Sequence, residues 1–184
     1  SIRYVLARLK EAMNLENSKY LDSYEREFIP TIVRKVSKLL GYYAQIKKVE
    51  LQLELEPRCD AALSGKQLVS SVFRIILEEM IMQAYEGERL KIRLEQVTVP
   101  DKAGGTSRFI CRCTVRNPSQ FEWRNERNDF LFRFADQLNT FEGCNVSAFL
   151  VNEILKGHRG RADAEISKKF GAQIFFEIES DKMN

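Results

Sequence analysis

Eight residues, VELQLELE at 49–56, alternate apolar and polar side chains without an error. Val49, Leu51, Leu53 and Leu55 fall on one face, and Glu50, Gln52, Glu54 and Glu56 on the other. A period of two is the spacing of a strand with one face packed and one in water. On both sides the period changes to that of a helix. In FIPTIVRKVSKLLGYYAQIKK, 28–48, Pro30 suits a first turn, and Ile32, Val33, Val36, Leu39, Leu40 and Tyr43 form the buried stripe. In SGKQLVSSVFRIILEEMIMQAYEG, 64–87, the apolar face runs through Leu68, Val72, Ile75, Ile76 and Met80, and the helix ends near Gly87. A half-solvated strand set between two amphipathic helices must share a layer with other strands and use the helices to cover its apolar side.

Those other strands are legible downstream. RLKIRLEQVTV and RFICRCTVR both alternate, and the turn residues DKAGGTS between them predict a hairpin. A polar, irregular stretch from Asn117 to Glu142 carries Trp123, Phe130, Phe132 and Phe134, read as a lid folded inward or as an exposed aromatic docking surface. A helix over 146–156 and strands near 161–166 and 172–179 follow. The expected fold is α+β: a two-layer α/β sandwich whose mixed, mainly antiparallel sheet is covered on one face by three helices. With no Pro/Gly/Ser-rich linker in the middle, residues 28–184 read as one domain. Residues 1–27 read as a helical leader, with Ile2, Val5, Leu6, Leu9 and Met13 at helical spacing.

Charge and cysteine content narrow the function classes. The 29 basic and 26 acidic residues are well mixed, so the net charge of +3 gives no field that calls for nucleic acid. KGHRGR with Lys168 and Lys169 lacks interleaved aromatics and reads as a solvated turn. No apolar run approaches the length of a membrane span. Cys59, Cys111, Cys113 and Cys144 show no CxxC spacing and accompany a single histidine, His158, which argues against zinc and for reduced thiols in a cytoplasmic protein. Cys111 and Cys113 share one strand face, as core filler does. The pattern opens inside a helix at SIRYVLARLKEAM, as the cytosolic part of a longer protein would.

The order helix-strand-helix-strand-strand-loop-helix-strand-strand resembles the ATP-binding domain of histidine kinases, in the superfamily that also holds gyrase, Hsp90 chaperones and MutL. GCNVSAFLVNEILKGHRGRADAEISKKFGAQIFF aligns without a gap to the family's last box, G-x-G-L-G-L-A-I-V-K-E-I-V-E-L-H-G-G and the strands after it. Gly143 stands at the first glycine and Gly171 at the glycine before the last strand, while Leu150, Val151, Glu153, Ile154, His158 and Gly160 keep their positions. ILEEMIMQAYEG overlays the asparagine box, and DFLFRFAD resembles the phenylalanine box. Four boxes in the right order cover roughly residues 28–180.

The resemblance implies a Mg-ATP site, and at that site this chain departs from the pattern. Glu79 occupies the position of the Mg²⁺-holding asparagine, facing inward with Val72, Ile75 and Ile76. A glutamate can ligate a hard cation, but beside a triphosphate it adds like-charge repulsion. Ile75 holds the place of the water-activating glutamate of gyrase-like relatives, and Glu78 reads as solvated. NPSQF stands where the family has D-x-G-x-G: Asn117 at the adenine-binding Asp, Ser119 and Phe121 at the glycines. Asn145 and Ser147 replace two glycines of the last box, Phe149 its small alanine, and the lid is only QLNTFE. Side chains thus stand where bare backbone would approach phosphate.

The expectation is a module of two-component or phosphorelay signalling without efficient ATP binding or cofactor, with Glu79, Asn117, Ser119, Gly143, Asn145 and Gly171 as vestigial nucleotide positions. Its partners would be a dimerisation helix pair, a response regulator or a second copy. The alternative is an active, divergent kinase domain in which Glu79 takes Mg²⁺ and Asn117 the adenine. His158 reads as a helix-ending turn residue rather than a phosphoacceptor.

Overall fold

The computed structural model describes residues 28–59, 63–100, 108–122, 146–157 and 160–179, with backbone alone for 63–67. Its elements are α1 (Ile29–Ile46), β1 (Glu50–Leu55), α2 (Leu63–Gln83), β2 (Arg89–Val99), β3 (Arg108–Asn117), α3 (Val146–Lys156), β4 (Arg161–Ser167) and β5 (Gly171–Glu179). The five strands form one sheet in the order β1-β2-β3-β5-β4. β1 runs parallel to β2, as the α2 crossover between them requires, and every other pairing is antiparallel. The expected hairpin forms from β2 and β3, and β4 and β5 make a second antiparallel pair.

The three helices lie on the sheet face that carries Leu90, Ile92, Leu94, Cys111, Cys113, Val115, Ile174, Phe176 and Ile178, all buried. α2 is buried around most of its circumference, because α1 and α3 flank it while the sheet lies beneath. Val69, Phe73, Leu77 and Ile81 are therefore buried along with the expected Leu68, Val72, Ile75, Ile76 and Met80. Where α2 ends, Lys47 reaches across from α1 and its Nζ donates to the carbonyls of Ile81 and Met82, placing a cation on the negative end of the helix dipole.

Two sequence expectations are corrected. Leu39, assigned to the α1 core stripe, is 63% exposed, and the stripe instead closes with Ala44 beside Leu40. The thiols were expected to be reduced, yet Cys59 and Cys111 are joined in a disulfide, their Cα atoms 6.0 Å apart. Cys113 stays free and buried, and burial pushes its thiol well above the ordinary range. The leader, the Trp123–Phe134 aromatics and His158 lie outside the described residues.

On the far sheet face the buried Glu177 carboxylate gathers two arginines that stay partly or largely exposed. Arg112 Nε donates to Glu177 Oε1 at 2.7 Å, Arg161 Nε donates to Oε2 at 2.5 Å, and both guanidiniums lie over the Phe175 ring. Burial raises the Glu177 pKa, but the hydrogen bonds and charges of Arg161 and Arg112 outweigh it and hold the carboxyl below its ordinary value. A depressed folded-state pKa gives stability that is present above the unfolded value of about 4.3 and is lost as pH falls through the folded one. In urea unfolding, the stability gap between wild type and Glu177→Gln should be open at neutral pH and close in acid. A gap independent of pH would show that the carboxylate charge adds nothing.

Candidate functional site

The site candidates fall into two clusters joined by α2. The first lies between α2 and α3. Glu79 follows the inward stripe of α2 and is 4% exposed. Ser147, in the first turn of α3, is buried, and its Oγ donates to Glu79 Oε1 at 2.6 Å. That bond spans 68 residues of sequence and ties the start of one helix to the body of the other. A hydrogen bond to a carboxylate is shorter and stronger than a neutral one, more so in a dry setting. Burial and the negative charges of Glu78 and Glu79 push the phenol of Tyr43, on α1, above its usual range, so the Glu79 charge is felt across the helix layer. Gln83, one helical turn beyond Glu79, is also buried, and neither its amide oxygen nor its nitrogen has a hydrogen-bond partner.

The second cluster is the corner where β3 ends and β5 begins. Asn117 is 1% exposed and both ends of its amide are engaged. Its Nδ2 donates to Glu88 Oε2 at 2.8 Å, and its Oδ1 accepts from the Ser119 backbone N–H at 3.1 Å. The same Glu88 oxygen accepts from the Tyr85 N–H at 2.9 Å, so one carboxylate beyond the end of α2 holds both that loop and the end of β3. Ser119 itself is exposed at the turn, and Phe121 is 52% exposed. Gly171 adopts φ +77°, and a Cβ there would lie 2.2 Å from the Asn117 carbonyl oxygen and 2.7 Å from Pro118 Cα. The glycine is required by close backbone approach as well as by its left-handed conformation.

The structure thus brings Asn117, Ser119 and Gly171 together and sets Glu79 against Ser147. Gly143 and Asn145 lie outside the described residues. The residues that sequence reasoning missed are Glu88 and Gln83. Glu88 is 29 positions from Asn117 and carried no motif, while Gln83 was legible in principle, since it repeats the inward position of Glu79 at i+4. For a Mg-ATP site, the described groups fit poorly as they stand. One Glu79 carboxylate oxygen is already bonded to Ser147, and the Asn117 oxygen already accepts from the Ser119 N–H, so each offers a cation or an adenine amino group fewer open lone pairs. Among the described residues no group of three or more His, Cys, Asp or Glu is placed to hold a metal, and no helix is long and apolar enough to cross a membrane.

No protein-family model matches the sequence, and no curated protein matches it. Solved structures do. The catalytic domain of histidine kinase ThkA, in a nucleotide-free form, superposes with a TM-score of 0.60 at 14% identity over 83% of this chain and 94% of that one. The Acinetobacter baumannii histidine kinase AdeS gives 0.55 at 18% identity, over 97% of this chain and 77% of that one. The mycobacterial sensor histidine kinase MprB gives 0.54 at 15%, over 85% and 97%. The fold is therefore that of histidine kinase catalytic domains, as the sequence resemblance implied.

Proposed function

We propose that residues 28–184 form a histidine-kinase-like ATPase domain whose nucleotide cleft is closed by its own side chains. It serves two-component or phosphorelay signalling by contact, preceded by a leader over 1–27. The observation that carries this reading is the buried Ser147–Glu79 hydrogen bond, which occupies the carboxylate at the metal-holding position and ties α3 to α2. The Asn117 amide, whose nitrogen and oxygen each already hold one partner, supports it from the base-binding end. A ligand that displaced Ser147 from Glu79 would have to offset a charge-assisted bond worth about 1.5–3 kcal/mol. The partners that suit a domain of this fold are a dimerisation helix pair, a response regulator or a second copy.

One observation favours a second reading, an active and divergent ATP-dependent histidine kinase. A buried amide with both ends unsatisfied, as at Gln83, costs free energy that a ligand offering a donor and an acceptor would recover. In that reading Glu79 releases Ser147 to take Mg²⁺, and Asn117 turns to the adenine.

Titration with Mg-ATP separates the two. The expected result is no saturation up to about 1 mM and no shift in melting temperature, since a ligand at 100 times its Kd would stabilise the fold by about 2.7 kcal/mol. Micromolar binding that weakens on Glu79→Ala would overturn the first reading. Gln83→Leu adds an independent check: it should leave the fold as stable or more so if the amide is an unrelieved cost, and should abolish binding if the amide reads a nucleotide.

A further inference from the structure

A groove of about 440 Å³ opens between α1 and β1, remote in sequence from Asn117, Ser147 and Gly171. Its floor is apolar, formed by Leu51, Leu53 and the bare backbone side of Gly41, where an added Cβ would meet nothing within 4 Å. Leu53 is 37% exposed, although its strand face is the one turned toward the helices. Along the rim stand Arg34 and Lys38, one helical turn apart and both exposed, and neither has a carboxylate partner among the described residues. Ser37 lies between them, 95% buried by its 5% exposure, and its Oγ lines the groove without a hydrogen-bond partner.

The backbone next to this groove is also unsatisfied. The Glu50 N–H donates to the Glu88 carbonyl at 3.0 Å and the Glu56 N–H to the Leu94 carbonyl at 2.9 Å, so the even-numbered residues of β1 direct their amides at β2. Strand geometry then turns the N–H and C=O of Leu51, Leu53 and Leu55 outward. Among the described residues β1 is the last strand on its side of the sheet, so those groups have no strand partner there. An exposed row of this kind is a template for an added strand.

We infer that this edge is a docking site for an extended segment of a partner protein, which adds as a sixth strand beside β1, buries apolar side chains in the groove and sets a carboxylate against Arg34 and Lys38. The proposal goes beyond the closed-cleft reading and does not depend on it. Charge decides the occupant. On the groove side the unpaired cations Arg34 and Lys38 and the Ser37 hydroxyl call for an acid. On the opposite sheet face Glu50 and Glu54 repel one. A second copy of β1 is disfavoured by the same rule in two registers: antiparallel pairing with Gln52 or Leu53 on the twofold axis sets Glu50 against Glu54 or Glu56, and like charges directly opposed are destabilising.

The test uses a fluorescein-labelled, end-blocked peptide, Thr-Leu-Lys-Asp-Thr-Leu-Lys, whose alternate residues Leu, Asp and Leu form the groove-facing set. A matched peptide has Lys in place of Asp. By anisotropy, the acidic peptide should bind saturably and at least ~10-fold more tightly than the basic one. The pair Arg34→Glu with Lys38→Glu, both on the surface, should remove that preference. Leu53→Pro deletes an outward N–H that the ladder to β2 does not use, and should abolish binding while the fold is retained, as circular dichroism would report. Failure to saturate by about 1 mM, equal affinity for the two peptides, or a dimer that Leu53→Pro converts to monomer would each overturn the proposal.

Discussion

Replacing Gly171 by Ala is expected to lower the unfolding free energy by about 3–5 kcal/mol, at the upper end of single-residue effects. Two costs add. The left-handed φ of +77° is uphill for a residue with a Cβ by about 1–2 kcal/mol, and the new methyl would sit 2.2 Å from the Asn117 carbonyl oxygen and within 3.0 Å of two Pro118 backbone atoms. Backbone atoms cannot swing aside as a flexible side chain can, so β5 must part from the end of β3. Gly87 separates the two contributions, because its φ is +85° but a Cβ there meets nothing within 4 Å. Gly87→Ala should therefore cost only the conformational part, about 1–2 kcal/mol. Chemical denaturation of both variants checks this. If they lose the same amount, the corner is not held by backbone contact and Asn117 is not positioned by Gly171.

The particular elements explain how much of this was readable in the sequence. Period and turn chemistry are local, so the β2–β3 hairpin, the three helices and the inward face of Glu79 could be placed from spacing alone. Burial on a second side is not local. α1 and α3 cover the flanks of α2, which is why Val69, Phe73, Leu77 and Ile81 are as buried as the stripe that the pattern marked. Leu39 shows the reverse: its spacing fits a core position, but it stays exposed because no described element packs on that side of α1. At the candidate site, inward-facing positions were legible while their partners were not. Glu88 with Asn117 and Ser147 with Glu79 meet only through the path of the chain, across 29 and 68 residues.

Reduction of the Cys59–Cys111 disulfide is expected to lower the unfolding free energy by about 2–4 kcal/mol. The bond closes a loop of 52 residues that contains all of α2 and β2 and the first part of β3, so in the unfolded chain it removes a large set of open conformations. In the chain-entropy account a loop of this size is worth about 4 kcal/mol. In the folded state it ties the segment after β1 to a strand two places away in the sheet, while the Glu56 N–H bond to the Leu94 carbonyl holds that segment from the other side. Loss of the bond should thus loosen the end of β1 first. Urea unfolding with and without dithiothreitol gives the magnitude, and the variant carrying Cys59→Ser and Cys111→Ser should match the reduced wild type and ignore the reductant. Cys113 will not confuse the comparison, because burial keeps its thiol protonated and unreactive in the native state. Equal stability of oxidised and reduced protein would show that the bond adds nothing beyond the packing of its two sulfurs.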